Sequence, residues 1–461
     1  MDSHLNLKPA SGAGADCFST GMSGASACQV SGGSWSLRRG QAGISSISAC
    51  ALNHRESVRF AALLLFCDPV PDDCYRLVDL SPAKWRGLKR WLDLSGLALY
   101  FLDRVAELKL CELLPSDVFT QLHLNLIDNS ERTRHMIAES SEIQRGFQRN
   151  GISYAVLKGI SLWPNAASRP ELRSQFDLDY LVAEKDVPSA RAILERQGYR
   201  MYAERGRTSE FKKNERPGVS LKDIYKHFDS YGVEIHAEIG SSSKSSLFNR
   251  VEWRQIDRLM MPVLGQVDLF LGQALHVFRH LRGEYTRASL LLELRRHILT
   301  HQDNEKFWGE LRSRAALDRR SAIGLATALY LTEHLMGPTV PEPVHDWSVD
   351  ILAEPIRNWV RRYGHRVVLG DPPGTKLFLM LQHELERLGI EGKRPARNVL
   401  LPAQLPRMVI RAHPSEKLAI RIRRYAMQIG VVLSRLRFHT LEGLRYLIEA
   451  RRWRRFAGEA R

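Results

Sequence analysis

The sequence predicts an α+β protein, with a small mixed β-sheet core set between N- and C-terminal helical regions. Three observations carry this: helix-spaced apolar residues over 56–150, a block of short strand-like runs over 151–262, and a return to helical spacing from Val267 onward. Of the 461 residues, 44% are hydrophobic and 26% are charged, the composition of a globular chain too long for one small core.

Residues 1–55 are rich in Ser, Gly and Ala, carry only Asp2 and Asp16 as acids and show no periodicity. Such a segment buries too little apolar surface to offset its ordering entropy, so it is predicted to be a disordered leader. The helical region 56–150 is marked by Leu63, Leu64 and Leu65, then Leu88, Trp91, Leu92, Leu99 and Leu102, then Leu124, Ile127, Met136 and Ile143, enough for four or five helices. In the core, 151–262, strands are predicted at 152–157, 176–182, 199–203, 221–228 and 233–239. A helix is predicted at 186–197, opened by Asp186 and Pro188 and ended by Gly198. A helical domain follows over 263–400, and a basic amphipathic helical tail over 401–461.

Six cysteines with no C-x-x-C pair cannot frame a disulfide scaffold or a structural zinc site. Cys17, Cys28 and Cys50 fall in the leader, and Cys67, Cys74 and Cys111 read as reduced thiols. No run approaches the roughly 18 apolar residues needed to cross a bilayer, and the first thirty residues lack a basic start followed by an apolar stretch. The expected location is cytoplasmic, with peripheral contact at the inner membrane. The net charge is +16; residues 401–461 hold 14 Lys plus Arg against four Glu, a net of +10, which leaves +6 for the other 400 residues. Within the tail, Leu418, Ile422, Tyr425, Ile429, Val432 and Leu436 recur every three or four positions among arginines. This pattern suits an anionic membrane surface or an acidic protein partner. No nucleic-acid module accompanies it, so specific nucleic-acid binding is not expected.

The chemistry concentrates at Leu157-Lys158-Gly159, Arg173, Asp177-Leu178-Asp179 and Glu234-Ile235-His236. Side chains two apart on a strand share a face, so Asp177 and Asp179 project together, and Glu234 on a neighbouring strand completes three carboxylates. Converging carboxylates repel unless a divalent cation lies between them, and hard oxygen ligands with an incomplete shell suit magnesium. A pair of such ions supports in-line displacement at phosphorus. Gly159 after a strand lets backbone N–H groups approach a phosphate, while Lys158 and Arg173 neutralise developing charge. His276 and His280, like His297 and His301, lie four apart without an intervening H-E-x-x-H glutamate, so they are read as helix-bundle residues. Arg282 and Arg287 are expected to pair with Glu284 or Glu293.

The run L-K-G at 157–159, Arg173, D-L-D at 177–179 and E-I-H at 234–236, followed by His276, His280 and a Leu-rich segment at 290–294, resembles the uncharacterised nucleotidyltransferase family of the DNA polymerase beta superfamily. Members often lie in bacterial surface-polysaccharide gene clusters. The resemblance implies Mg-dependent transfer of a nucleoside monophosphate from a nucleoside triphosphate to an acceptor, with a two-ion site. It implies Asp177, Asp179 and Glu234 as metal ligands and catalytic residues, and Gly159 as the turn near the triphosphate. Lys158, Ser161, Arg173 and His236 complete the expected nucleotide contacts. The family turn usually reads Gly-Ser or Gly-Gly, whereas Gly159 here precedes Ile160 and Ser161, and the third acid is Glu where Asp is commoner. These differences motivate the alternative of a catalytically inactive regulatory or partner-binding protein on the same fold.

Overall fold

The computed structural model describes residues 52–213, 223–227, 231–238, 246–256, 259–392, 399–400 and 418–459; of the leader expected over 1–55 and the tail expected over 401–461, residues 1–51, 401–417 and 460–461 lie outside them. Four helices come first: α1 (His54–Leu64), α2 (Pro82–Ser95), α3 (Ala98–Glu107) and the long α4 (Ser116–Arg149). Asn53 opens α1 with a capping box shared with Glu56, and Gly96 ends α2 at φ 74°.

Strands β1 (Tyr154–Leu157), β2 (Asp177–Ala183), β3 (Arg200–Arg205), β4 (Thr208–Lys212), β5 (Gly232–Glu238), β6 (Val251–Ile256) and β7 (Leu259–Leu264) form one mixed sheet in the order β3-β4-β5-β2-β1-β7-β6. β2 pairs parallel with β5 and antiparallel with β1; β1 pairs parallel with β7. Helix α5 (Val187–Arg196) links β2 to β3.

One face of the sheet, bearing Val156, Leu178, Tyr180, Val233 and Ile235, packs on Met136, Ile143 and Phe147 of α4 and on Ile193 and Leu194 of α5. The other face carries Ala155, Leu157 and Leu181 in a smaller apolar cluster. That second face also bears the acidic side chains.

Helices α6 (Gln266–Leu281), α7 (Ala288–Thr300), α8 (Glu305–Ala315), α9 (Arg319–Met336), α10 (Glu342–His345), α11 (Glu354–Leu369) and α12 (Phe378–Arg387) follow, and α13 (Leu418–Glu459) ends the described chain. Helices on both sides of the sheet in sequence share one apolar core, in which Leu63, Trp91 and Phe101 meet Phe270, Leu329 and Trp359.

The structure corrects several expectations. Residues 223–227 of the expected strand 221–228 form a turn, and the rest of that run lies outside the described residues. β4, β6 and β7 have no counterpart in the expected strands. β4 carries one buried apolar residue, Phe211, and β6 is an outer strand that alternates Glu252, Arg254 and Ile256 with Val251, Trp253 and Gln255, so neither has a strong apolar signal. In α4, Leu124 and Ile127 are each 50% exposed, while Asn125, Asn129 and Arg132 are buried. Polar groups replace apolar ones there because irregular backbone beside the helix needs hydrogen-bond donors.

Candidate active site

The site begins with a reversal at the end of β1. Leu157 lies opposite Asp179, so ordinary alternation would send Lys158 to the other face. Instead Lys158 and Gly159 both take positive φ, 51° and 49°, and the Lys158 ammonium donates to Asp179 Oδ1 at 2.6 Å. A left-handed lysine costs about 1–2 kcal/mol, so the surrounding contacts must hold it there. Ser161 supplies one: its hydroxyl, fully buried, donates to the Lys158 carbonyl at 2.8 Å. A Cβ on Gly159 would lie 2.1 Å from the Gln175 amide nitrogen. Gln175 in turn donates to the Asp177 carbonyl at 2.7 Å, which ties the turn to the start of β2.

The loop entering β2 is held from α4. The Asn129 amide donates to the carbonyls of Glu171 (2.6 Å) and Arg173 (3.3 Å), and the buried Arg132 guanidinium donates to those of Gln175 and Ile224. Asp177 and Asp179 therefore leave β2 from a braced backbone.

Across the β2–β5 pairing, Asp179 stands opposite Glu234 and Leu181 opposite His236. His236 Nε2 lies 2.9 Å from Asp179 Oδ1 and 3.4 Å from Glu234 Oε2, while Thr208 of β4 meets His236 Nδ1 at 3.1 Å. Asp179, Glu234 and His236 each offer a ligand atom within 4.8 Å of the others, a group that could hold a metal ion. This tight group contains His236 where the sequence suggested Asp177. Asp177 lies two residues earlier on the same face of β2.

The electrostatics divide the two aspartates. Burial, then the charges of Asp179 and Glu234, push Asp177 up to about 6 against the pull of Lys158 and Arg173. Burial also works against ionised Asp179, but hydrogen bonds from His236 and Lys158 outweigh it and bring its carboxyl to about 2. For His236 burial opposes the charged form, and the bonds to Asp179 and Glu234 prevail and raise it.

Arg173 has a partner the sequence did not assign. Its Nε donates to Glu293 Oε1 at 3.0 Å, and Tyr100 donates to the same oxygen at 3.1 Å. Of the expected pairings, Arg282 instead pairs with Glu391 and Glu284 with Lys376 and Arg435, while Arg287 feels the favourable charge of Glu293 without a close ion pair among the described residues. Arg287 is close enough to Arg173 for the two cations to oppose each other, and burial is the larger force lowering it. Its Nε has no hydrogen-bond partner among the described residues. On α6, His276 is pushed down to about 2 by burial first, then by His280, Arg279, Lys158 and Arg173. His297 and His301 sit inside the bundle, bonded to Gln273 (2.8 Å) and stacked on Phe307 (centroids 3.9 Å apart).

Thr208, Gln175, Asn129, Arg132 and Glu293 were not assigned to the site from sequence. Strand alternation in β4 could have exposed Thr208 as a partner for β5, but Glu293 is 120 residues from Arg173 and carries no local signal.

The arrangement juxtaposes two opposite functions: clustered carboxylates that attract a cation, and Lys158, Arg173 and Arg287 that attract an anion. Such a surface suits a metal-bound polyphosphate. No curated protein matches the chain. The model of an uncharacterised nucleotidyltransferase family matches residues 81–337, from the start of α2 to just past α9, a span that holds every residue of this site. That match covers more than half of the chain and supports nucleotidyl transfer as the general class of activity; the protein belongs to the uncharacterised nucleotidyltransferase family.

Proposed function

We propose that the protein transfers a nucleoside monophosphate from a nucleoside triphosphate to an acceptor, using magnesium held by Asp177, Asp179 and Glu234 with His236 beside them. The register that sets Glu234 against Asp179 carries this reading. The donor set fits the ion: the oxygens are hard, and Asp177 is raised by burial and then by the charges of Asp179 and Glu234, which Lys158 and Arg173 do not fully offset. Bound there, magnesium would supply counter-charge to the phosphates and acidify the acceptor hydroxyl.

The remaining work falls to this chain's own residues. Glu234 accepts the acceptor's proton as the new O–P bond forms and the bond to pyrophosphate breaks. Thr208 and His236 orient the carboxylates. Lys158 and Arg173 counter the charge that grows on the departing pyrophosphate. Gly159 allows close approach of backbone to phosphate, and Ser161, turned inward, braces that turn. We read the acceptor as a component of surface-polysaccharide assembly on the family resemblance alone.

The test is to incubate purified protein with magnesium, a cell extract as acceptor source, and ATP labelled at either the α or the γ phosphate. Incorporation from the α position only, lost in Asp177→Asn and Asp179→Asn, is the expected result. Transfer of the γ label would indicate a kinase.

A second reading, a non-catalytic regulator, draws on one observation: Lys158 and His236 already satisfy Asp179 Oδ1 without an ion. Unchanged magnesium and ATP binding in the double Asn variant, measured by calorimetry, would favour it.

A further inference from the structure

Helix α13 has two contrasting sides. From Arg435 onward one side is anchored: Arg435 donates to Glu284 (2.9 Å), Tyr363 to Glu449 (3.1 Å) and Trp453 to Glu384 (2.9 Å), and Phe438 and Trp453 are buried. The apolar stripe marked in the sequence is not on that side. Leu418, Ile422, Ile429, Leu433, Leu436 and Leu444 are 55–68% exposed. At about 100° per residue they form one strip, turned roughly 160° from the anchored side and running about 40 Å along the helix.

This strip is too long and continuous to be scattered surface leucines. Its borders carry one sign of charge. Residues 418–459 contain ten Arg against Glu442, Glu449 and Glu459, a net of +7. Glu442 and Glu449 are each paired locally, with Arg445 and with Arg452 and Tyr363, and their side chains are only 17% and 9% exposed. Arg421, Arg423, Arg437, Arg451, Arg454 and Arg455 are exposed.

We propose that this face of α13 lies in the surface of an anionic phospholipid membrane, with the leucine strip among the acyl chains and the arginines at the phosphates. A second copy of the chain would bring one +7 helix against another, which like-charge repulsion opposes. Nucleic acid would satisfy the arginines and leave the leucines in water. An anionic bilayer satisfies both, in the manner of helices that lie along an interface. Crossing is excluded for this helix, because none among the described residues is long and apolar enough to span.

The experiment is flotation of the purified full-length protein with vesicles of phosphatidylcholine alone, or with part of it replaced by phosphatidylglycerol. Binding only to the phosphatidylglycerol vesicles, weakened by salt, is expected. The exposed double variant Ile422→Glu with Leu433→Glu should abolish it, and each arginine removed in Arg451→Gln, Arg454→Gln and Arg455→Gln should weaken it about fivefold. Thermal melts unchanged from the parent would establish that these variants fold. Asp179→Asn should bind vesicles as the parent does, which separates this test from the transferase assay. Equal binding by parent and Glu variants would overturn the proposal. So would absence of vesicle binding together with a dimer that the Glu variants dissociate, or with retention on RNA.

Discussion

Asp179 and Glu234 stand opposite each other on neighbouring parallel strands, and the imidazole of His236 bridges them at 2.9 and 3.4 Å. The pair concentrates two negative charges where a protein interior ordinarily tolerates one. Its partners, Lys158 and His236, come from separate strands or turns, so the cluster exists only in the folded chain.

Glu234→Gln keeps size and hydrogen bonding but removes a charge and the proton acceptor. Turnover should fall by about 100-fold or more, as for loss of a preorganised charge in a catalytic site, with the melting midpoint held or raised. Steady-state pyrophosphate release alongside calorimetric melting checks both parts.

Asp177→Asn should make the metal-free protein more stable while inactivating it. The folded carboxyl is raised from 3.8 to about 6, so ionising it costs the folded state stability. The folded state binds the extra proton between those values, so the cost is absent below about 4, grows through that window and is complete above about 6. The variant's advantage, roughly 1–3 kcal/mol, should appear in melts with chelator at pH 8 and shrink at pH 5.

Gly159→Ala meets both an unfavourable φ of 49° and the Gln175 side chain. The backbone share is about 1–2 kcal/mol. Because the obstructing atoms are the far end of a flexible side chain, Gln175→Ala in the same chain should recover the remainder but not the backbone share. Denaturant unfolding of the single and double variants measures this.

Arg173→Ala strands Glu293, whose side chain is only 2% exposed, with Tyr100 as its remaining donor. The loss should be about 3–5 kcal/mol. Adding Glu293→Gln should return much of it, and a double-mutant cycle by urea unfolding gives the coupling.

His297 is fully buried and held down to about 3 by burial first, then by His301 and Arg254. In the unfolded chain it titrates near 6.5, so between those values the unfolded state binds the extra proton. Stability from this group is complete above about 6.5 and is lost as pH falls toward 3. His297→Gln should narrow the difference between melts at pH 7 and pH 5 by roughly 2 kcal/mol.

Much of this site was legible before folding, for local reasons. Alternation in Asp177-Leu178-Asp179 and Glu234-Ile235-His236 sorts acids from apolar residues, and Leu157-Lys158-Gly159 announces the end of a strand. Helix α5 was legible from its Pro and Gly boundaries. The inner face of α4 was not, because Asn129 and Arg132 are buried to serve backbone carbonyls of a loop more than forty residues away. The tail's sequence left open which side of its helix would dock. Its regular apolar stripe has the spacing of a buried face, yet the helix docks through Phe438 and Trp453.

Composition and periodicity by themselves determined the α+β class, the strands that carry the acids and which side chains share a face, since those follow from the two-residue repeat of an extended chain. Tertiary structure alone decided that Glu234 faces Asp179, that Arg173 is bound to Glu293 and that the leucines of α13 face outward. Each depends on register and packing between segments distant in sequence, and local periodicity holds no information about which distant partner a face will meet.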